Sequence, residues 1–499
     1  MIVWQRLKVC RMRRLLLHPS VFTAQTRRLA SLLVGLCLLQ NLLGCQLASD
    51  RVDLAIQIPN EFRASPGHSD TALPTLDWWR GFRSSELTAL IEQAQVANLD
   101  IAAAVARIMQ ADAQARMAGA PLLPTVDLGA GALRSRPSAN TGSGGGAERS
   151  LFSTSLSASY EIDFWGKNRA ALLAAEYTAV ASRFDHEVIA LTTVVAVANT
   201  YFQVLSTQDR LRIARENVAA AERILALIQQ RLNVGTASSL DVAQQESLVA
   251  TQRAAIPPLT ITLRQSIAAL AVLMGLPPEY FSMRGGSLQR VAIPRVTPGI
   301  PSDLLQRRPD IRETEAQLAA ATANIANARA QFFPSISLTG DGGFQSAALR
   351  TLFAAGAWQY AVAANLVQPI FQGGRLIGNF ELQQAKQEEL LQNYRKAVIS
   401  AFADVETALI ALRQQTQRER LQAAAARASR QAFQLSETRL REGAIDLITV
   451  LNTQQTLFQA EDTLAQVRLA RLQAAVSLFQ ALGGGWPPLE GNKSRGTEN

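Results

Sequence analysis

Cysteine is the residue type whose position most clearly indicates a chemical role in this sequence of 499 residues. Cys10 and Cys37 lie in a basic and apolar N-terminal segment, and Cys45 follows directly after it. The run Leu42-Leu43-Gly44-Cys45 places a small residue before the cysteine, as in the bacterial lipobox, where a signal peptide is cut and the new N-terminal cysteine is acylated. The sequence therefore predicts a covalent lipid on Cys45; the alternative is a chance cysteine after a signal peptide that is cleaved elsewhere.

Motifs for catalysis or metal binding are missing from the sequence. The three histidines, His18, His68 and His186, do not stand in a metal-binding spacing with any cysteine. There is no Gly-x-Ser-x-Gly motif and no phosphate-binding Gly-x-x-x-x-Gly-Lys-Ser/Thr motif. The glycine run 142–146 lacks the flanking strand and helix of a phosphate loop, so we interpret it as a flexible loop. The sequence disfavours an enzyme and predicts neither a metal nor a cofactor other than the lipid on Cys45.

Charge in this chain is concentrated in the targeting segment. Residues 1–44 contain seven basic and no acidic residues and end in the apolar run 29–43, which is typical of a signal peptide. Its removal changes 49 basic against 40 acidic residues to 42 against 40, so the net charge falls from +9 to +2. The high charge therefore gives no support for nucleic-acid binding. Residues 45–75 have the composition of a tether. Position 46 is Gln and not the Asp that favours retention of a lipoprotein in the inner membrane.

The elements that follow are organised as an internal repeat. The run Arg231 to Gly235 matches the run Arg439 to Gly443 at an offset of 208 residues. An apolar stripe that contains Leu191, Ala198, Phe202 and Leu205 recurs 207 residues later as Val398, Val405, Leu409 and Leu412. We predict a first structural repeat over 76–290, a second over 300–486 and a disordered tail over 487–499.

Two stretches in each half alternate between apolar and polar residues with a period of two. From Phe152 to Phe164 the even positions are mostly apolar and the odd ones are Ser, Glu and Asp. The others cover 125–132, 335–341 and the less regular Trp358 to Phe371. Such alternation predicts strands with one apolar and one wet face, and an ordinary soluble sheet is the alternative. If the strands cross a membrane, four are too few to close a barrel, which needs about eight, so the barrel must be shared between subunits.

Aromatic residues cluster at the predicted strand ends, where the two interfaces of a membrane would lie. They are Phe164, Trp165, Phe332, Phe333, Trp358 and Phe371.

Helices account for the rest of each half. We predict helical segments over 85–119 and 309–331, long helices over 167–232 and 376–440, and return helices that end near Met274 and Leu482. Roughly 65 residues at ~1.5 Å per residue give ~100 Å, far beyond a globular helix, and the apolar stripes favour coiled-coil packing. Gly235 and Gly443 stand where a left-handed residue should end each long helix. Pro257-Pro258 should kink or break the first return helix. The fold class is α+β.

The sequence resembles the TolC-like outer membrane efflux family, in its lipoprotein branch. The resemblance covers nearly everything from Trp78 to Gly484. It is carried by the run Leu304 to Ile311 around Arg308-Pro309-Asp310, Glu315 to Arg329, Phe333 to Leu338, Asp163 to Lys167, Gly373-Gly374-Arg375, and the turns at Gly235 and Gly443.

The resemblance implies a homotrimer in the outer membrane, with a 12-stranded barrel and a periplasmic helical tunnel. It implies a passive exit duct for drug efflux. The hairpin turns at Gly235 and Gly443 would dock a periplasmic adaptor, which connects the duct to an inner-membrane pump of the resistance-nodulation-division type. The matching gate positions are Ile448 and Asn452; Asn452 departs from the family's Asp, and Asp446 is a nearby acid that could compensate. A periplasmic coiled-coil adaptor is the alternative function, although it would have one hairpin rather than two.

Overall fold

The computed structural model describes residues 58–59, 62–63, 77–138, 140, 146–294 and 301–484. The predicted signal peptide, Cys45 and the predicted tail 487–499 lie outside the described residues. Most of the predicted tether does as well, but Phe62 is only 6% exposed and packs with Leu304, Val405 and Leu478. The tether is therefore anchored to the helical core at this point.

The elements follow one another in the same order in both halves. The first half contains α1 (Ser85–Ala97), α2 (Leu99–Gly119), β1 (Thr125–Ser135), β2 (Arg149–Ile162), α3 (Lys167–Asn233), α4 (Ser239–Ala254) and α5 (Ile256–Leu273). The second contains α6 (Pro301–Arg307), α7 (Pro309–Ala330), β3 (Ser335–Ser346), β4 (Trp358–Val367), α8 (Arg375–Arg441) and α9 (Leu447–Ala481). The α+β class and the internal repeat are confirmed, and α3 and α8 have the same length of 67 residues.

The four strands form one antiparallel sheet in the order β1-β2-β3-β4. In every pairing an even-numbered residue lies opposite an even-numbered one: Ala132 pairs with Phe152, Ile162 with Ile336, and Phe344 with Trp358. Because side chains alternate between the two faces of a strand, the register joins the apolar positions of all four strands into one face. β1 and β4 are the two edges, and every residue in both is exposed.

Two local expectations about where elements end are wrong. The fourth strand was predicted to continue to Phe371, which is wrong, because it ends at Val367, opposite Ser335, just before Pro369. Proline lacks the N–H that a further ladder bond requires. The helix predicted over 85–119 is two helices, since Asn98 has extended backbone angles and its side chain accepts hydrogen bonds from the N–H groups of Asp100 and Ile101.

The prolines Pro257-Pro258 interrupt the first return helix as predicted. The interruption is one residue long: Ala255 separates α4 from α5 and keeps right-handed helical backbone angles. The two prolines remove the N–H donors that would bond the carbonyl groups of Arg253 and Ala254.

The predicted apolar stripe on the first long helix is part of the hydrophobic core. Val194, Ala198, Phe202 and Leu205 are buried with Phe479 in the largest cluster of apolar side chains. By length and composition alone, Lys167–Asn233 and Ser239–Leu273 could each cross a membrane, but half of the apolar window of the first is buried in this packing. Packing thus explains the hydropathy of α3.

The aromatic residues at the strand ends have specific partners. The Trp165 ring stacks on Phe333 with centroids 4.6 Å apart, and its Nε1 donates to the Pro334 carbonyl at 2.9 Å. Phe332 contacts Phe380 edge to face at 6.1 Å. These contacts hold the sheet against the long helices at the end of the strands nearest to those helices, which we call the inner end.

Arg308 links three helices of the second half. Its guanidinium donates to Asp310 at 2.7 and 3.1 Å, to Asp404 on α8 at 3.0 Å and to the Ala481 carbonyl at the end of α9 at 3.2 Å. Burial alone would lower the pKa of Arg308, but the two carboxylates outweigh it and the pKa is raised. The sequence indicated only a helix start at Arg308-Pro309-Asp310; the Arg308 contacts were not foreseen.

Replacement of Arg308 should therefore destabilise the helical part. The side chain of Arg308 is 11% exposed, whereas Asp310 and Asp404 are partly solvated. We expect Arg308→Ala to lower the free energy of unfolding by about 2 to 3 kcal/mol, less than for a fully buried pair. Arg253→Ala is the control, since its ion pair with Glu222 is exposed and should contribute about 0 to 1 kcal/mol. Guanidinium unfolding followed by helical circular dichroism measures both, and equal midpoints would contradict the assignment.

Candidate functional site at the hairpin tips

Both hairpin tips end their long helix in the same way. Gly235 and Gly443 have φ of 77° and 73°, the left-handed conformation that favours glycine. At the first tip the Gly235 N–H donates to Leu232 O at 3.0 Å and the Thr236 N–H to Arg231 O at 2.8 Å. The second tip repeats these bonds from Gly443 and Ala444. This pair of bonds is the Schellman motif, so the turn geometry predicted for both glycines is confirmed.

The return helices begin with side-chain caps. Ser238 Oγ accepts from the Asp241 N–H at 3.2 Å, and an Asp241 carboxylate oxygen accepts from the Ser238 N–H at 2.8 Å. At the second tip Asp446 accepts from the Thr449 N–H at 2.9 Å and from its hydroxyl at 2.6 Å. These bonds satisfy N–H groups that the first turn of a helix leaves without partners. Both acids near the tips therefore act as helix caps.

The Asp446 carboxylate is held in its charged form. The hydrogen bond from the Thr449 hydroxyl, followed by that from the Thr449 N–H, lowers the pKa of Asp446 below its ordinary value. A lowered carboxyl pKa stabilises the helix start above the ordinary pKa, and that stabilisation is lost as the pH falls through the lowered value. At neutral pH Asp446 is thus a fully charged cap on the protein surface.

One arginine ties the two tips together. The Arg231 guanidinium, on α3, donates to the Leu440 carbonyl at 2.5 Å, and it is 3.5 Å from the Arg441 carbonyl. Those carbonyls belong to the last turn of α8, where a cation is favoured. Next to this contact, Ile228 and Leu440 are buried in one apolar cluster with Val450. The sequence marks Arg231 only as part of the repeat, because its partner lies 209 residues away.

An ion pair also joins the two hairpins, farther from the tips. Arg210 on α3 donates to both carboxylate oxygens of Asp462 on α9, at 2.6 and 3.1 Å. The two side chains are partly buried and the geometry is bidentate, which is the stronger form of ion pair. The sequence contains no local signal for this pair, since its members come from different repeats.

The predicted gate positions share one exposed side of α9. Ile448 is 56% exposed and Asn452, one turn later, is exposed too. Their neighbours Leu447 and Val450 are buried against the rest of the hairpin pair. The flanking apolar residues form the local core, and the larger part of the Ile448 side chain lies outside it. Ile448 and Asn452 are therefore available for contacts beyond one chain.

Among the residues that the structure describes, no group of three or more His, Cys, Asp and Glu side chains could hold a metal ion. The tips consist of turns, caps and exposed apolar and amide side chains. Their chemistry is suited to contact with another protein or with a solvated passage.

Comparison with known proteins identifies the family. The family described as "Outer membrane efflux protein" matches residues 90–276 and 300–484, one segment in each repeat. The pyoverdine export outer membrane protein OpmQ of Pseudomonas putida is 41% identical over 460 residues, which cover 90% of this chain and 97% of OpmQ. The toluene efflux pump outer membrane protein TtgF of Pseudomonas putida is 37% identical and covers 84% of this chain and 87% of TtgF.

A solved structure has the same fold. The crystal structure of CusC, a protein that forms a transmembrane channel, superposes with a TM-score of 0.79 and 28% identity, over 88% of this chain and all of CusC. The family match over residues 90–276 and 300–484 includes all four strands and both hairpin tips. This chain therefore belongs to the outer membrane efflux protein family.

Proposed function

We propose that this chain is the outer-membrane exit duct of a tripartite efflux system, a passive trimeric channel in which three sheets close one 12-stranded barrel. The observation that carries the proposal is the sheet itself, with a continuous apolar face and two exposed edges, β1 and β4. In lipid every backbone polar group must be paired, so such a sheet requires edge partners. Pairing of β1 with β4 of the next protomer supplies them.

A second feature supports association of the helical parts. The apolar window of Ser239–Leu273 is only 17% buried within one chain. Ile261 and Val272 are more than half exposed on these helices. Neighbouring hairpins would cover such side chains in a tunnel of several chains. The alternative, a periplasmic adaptor, is disfavoured because the family match includes both hairpins and the sheet.

We propose that cargo is chosen by an inner-membrane pump of the resistance-nodulation-division type and delivered through a periplasmic adaptor. The relatives are named for pyoverdine export and for toluene efflux, two unlike compounds. A passive conduit with no cargo site of its own is compatible with both. Small organic compounds, drugs among them, are the cargo class that we propose here.

The lipid on Cys45 is proposed to be a second membrane anchor beside the barrel. We expect Cys45→Ser to lack the acyl chains and still to insert into the outer membrane, because a shared barrel holds the protein without them. Mass spectrometry of the N-terminal peptide and fractionation of membranes measure the two properties. An unmodified Cys45 in the wild type would refute lipidation, and a soluble periplasmic Ser variant would refute the barrel.

The turns at Gly235 and Gly443 are proposed to dock the adaptor. Gly443→Val forces a β-branched residue into the left-handed region and should misplace the tip, whereas Gly443→Asn tolerates that conformation and is the control. We expect the Val variant to remain a trimer and to lose at least about tenfold in crosslinking to the adaptor, which corresponds to ~1.4 kcal/mol of binding. Gly235→Val should behave alike. Full crosslinking in both Val variants would rule the docking role out.

Ile448 and Asn452 are proposed to form rings in the constriction of the duct, with Asp446 nearby. Ile448→Ser should raise single-channel conductance because an apolar ring that excludes water becomes polar. Asn452→Asp should add three carboxylates and increase cation selectivity. Leu240 and Gln244 are the equivalent residues of the first hairpin at the 208-residue offset, and Leu240 is 63% exposed. Leu240→Ser is therefore the matched control and should leave the conductance unchanged.

Asp446→Asn separates charge from capping at the same tip. Asparagine is as good a cap as aspartate, so the helix start should persist while three charges disappear. If Asp446 faces the passage, cation selectivity falls in planar bilayers; if it is only a cap, selectivity stays. Conductance and selectivity that are unchanged in Ile448→Ser and Asn452→Asp would show that the constriction lies elsewhere.

A further inference from the structure

The ends of the strands opposite the helices carry an excess of positive charge. Segments 133–151 and 345–358 contain four arginines, Arg134, Arg136, Arg149 and Arg350, against a single acid, Glu148, a net charge of +3 per chain. Neither segment contains aspartate or lysine. In the proposed duct these segments form the outer rim of the barrel, so three chains would give the rim a charge of +9. The rim is therefore suited to anionic partners.

An aromatic cluster lies at the same end of the sheet. Phe344 contacts Trp358 at 5.3 Å and Phe353 at 5.4 Å between ring centroids, both edge to face. Phe344 and Trp358 are register partners on the even-numbered, apolar face. Phe353 comes from the connection between β3 and β4, and it remains largely exposed. The connection thus adds an apolar surface to the lipid-facing side of the sheet.

The spacing of the aromatic residues matches the thickness of a membrane. Phe333 at the inner end and Phe344 at the outer end are 11 positions apart in the sequence. A separation of 11 residues along a strand rises ~37 Å, and a tilt of about 40° reduces that to ~29 Å. The apolar band of outer-membrane barrels is ~25 Å tall. The Phe344 cluster therefore lies at the boundary between acyl chains and headgroups of the outer leaflet.

Arg134 stands on the apolar face, nearer the outer end of the sheet than the aromatic cluster. The register places Phe344 opposite Thr154 and Thr154 opposite Ala130, four positions before Arg134. It is an even-numbered residue, two positions beyond Ala132, so it shares the face of Phe152 and Trp358. Its Nε and Nη2 both donate to one oxygen of Glu148, and the side chain is still 75% exposed. A guanidinium at the outer border of an apolar face can extend to the headgroup level.

Closure of the barrel would bring these groups together across the subunit seam. β1 and β4 are the edges of the sheet, and their outer ends are Ser135 and Trp358. When β1 of one protomer pairs with β4 of the next, Arg134 would lie at the same seam as the partner's aromatic cluster and the partner's Arg350. Each seam then combines one arginine from each of two chains with the aromatic cluster of one of them.

We propose that each of the three seams binds a phosphate-bearing glycolipid of the outer leaflet. Its phosphates pair with the guanidinium groups of Arg134 and Arg350, which present N–H donors in the planar geometry that phosphate oxygens accept. Its acyl chains lie on Phe353 and Trp358. The inference rests on the proposed function, because both the seam and the outer leaflet depend on a trimeric barrel.

The test is a titration of the purified, delipidated full-length protein with bisphosphorylated lipid A, followed by native mass spectrometry. We expect up to three lipids per trimer in the wild type and at least about tenfold weaker binding in the double variant R134S/R350S, since each charge-assisted hydrogen bond contributes appreciably. R375S is the control for position, because it removes a positive charge at the inner end of the strands. It should bind as the wild type does.

Other probes separate the sources of affinity. Dephosphorylated lipid A should bind as weakly to the wild type as lipid A binds to R134S/R350S, and inorganic phosphate at equal concentration should not displace lipid A. Equal binding of both lipids, displacement by phosphate alone, unchanged binding in R134S/R350S or equal loss in R375S would each overturn the proposal. The same spectra give the protein mass. A monomeric wild type would refute the duct as well, whereas a trimer with unchanged binding in R134S/R350S would refute only the glycolipid site.

Discussion

The unsatisfied edges of a four-stranded sheet are the constraint on which the rest of this structure depends. β1 and β4 each have one row of backbone N–H and C=O groups without a partner in the sheet, and one face of all four strands is apolar. In water such a sheet would aggregate, and in lipid it would leave polar groups unpaired at several kcal/mol each. Closure with other copies removes both difficulties. Lipid exposure, association with other copies and a central passage all follow from that single requirement.

The helical part meets a different requirement, since two helices of 67 residues gain most of their stability from tertiary packing. Their apolar stripes pack with the return helices, and three polar contacts link segments far apart in the chain: Arg308 with Asp404, Arg210 with Asp462, and Arg231 with the Leu440 carbonyl. Two of these contacts connect the first repeat with the second. The repeats are thus joined along the length of the hairpins and not only at the sheet.

Residues near the tips differ in whether contacts within one chain account for them. Asp241 and Asp446 cap return helices, which is sufficient reason for an acid at each position. Ile448 and Asn452 have no such local role, because the flanking apolar residues form the local core. For that reason exposed residues without intrachain partners are better candidates for the passage than the charged residue beside them.

The sequence by itself determined the elements and their repetition, because both depend on local chemistry. Period-two alternation located the four strands, glycine at Gly235 and Gly443 marked left-handed turns, and Pro257-Pro258 marked the interrupted helix. Local signals were insufficient where two elements compete: β4 stops at Val367 and not Phe371, and Asn98 divides one predicted helix into two.

Only the tertiary structure decided what the elements do together. The common apolar face follows from cross-strand register, which no single strand encodes. The contacts of Arg231 and Arg210 join residues more than 200 positions apart, and the Phe344 cluster depends on how the connection after β3 folds back. A local pattern specifies backbone conformation over a few residues, whereas these contacts are specified by the packing of whole repeats.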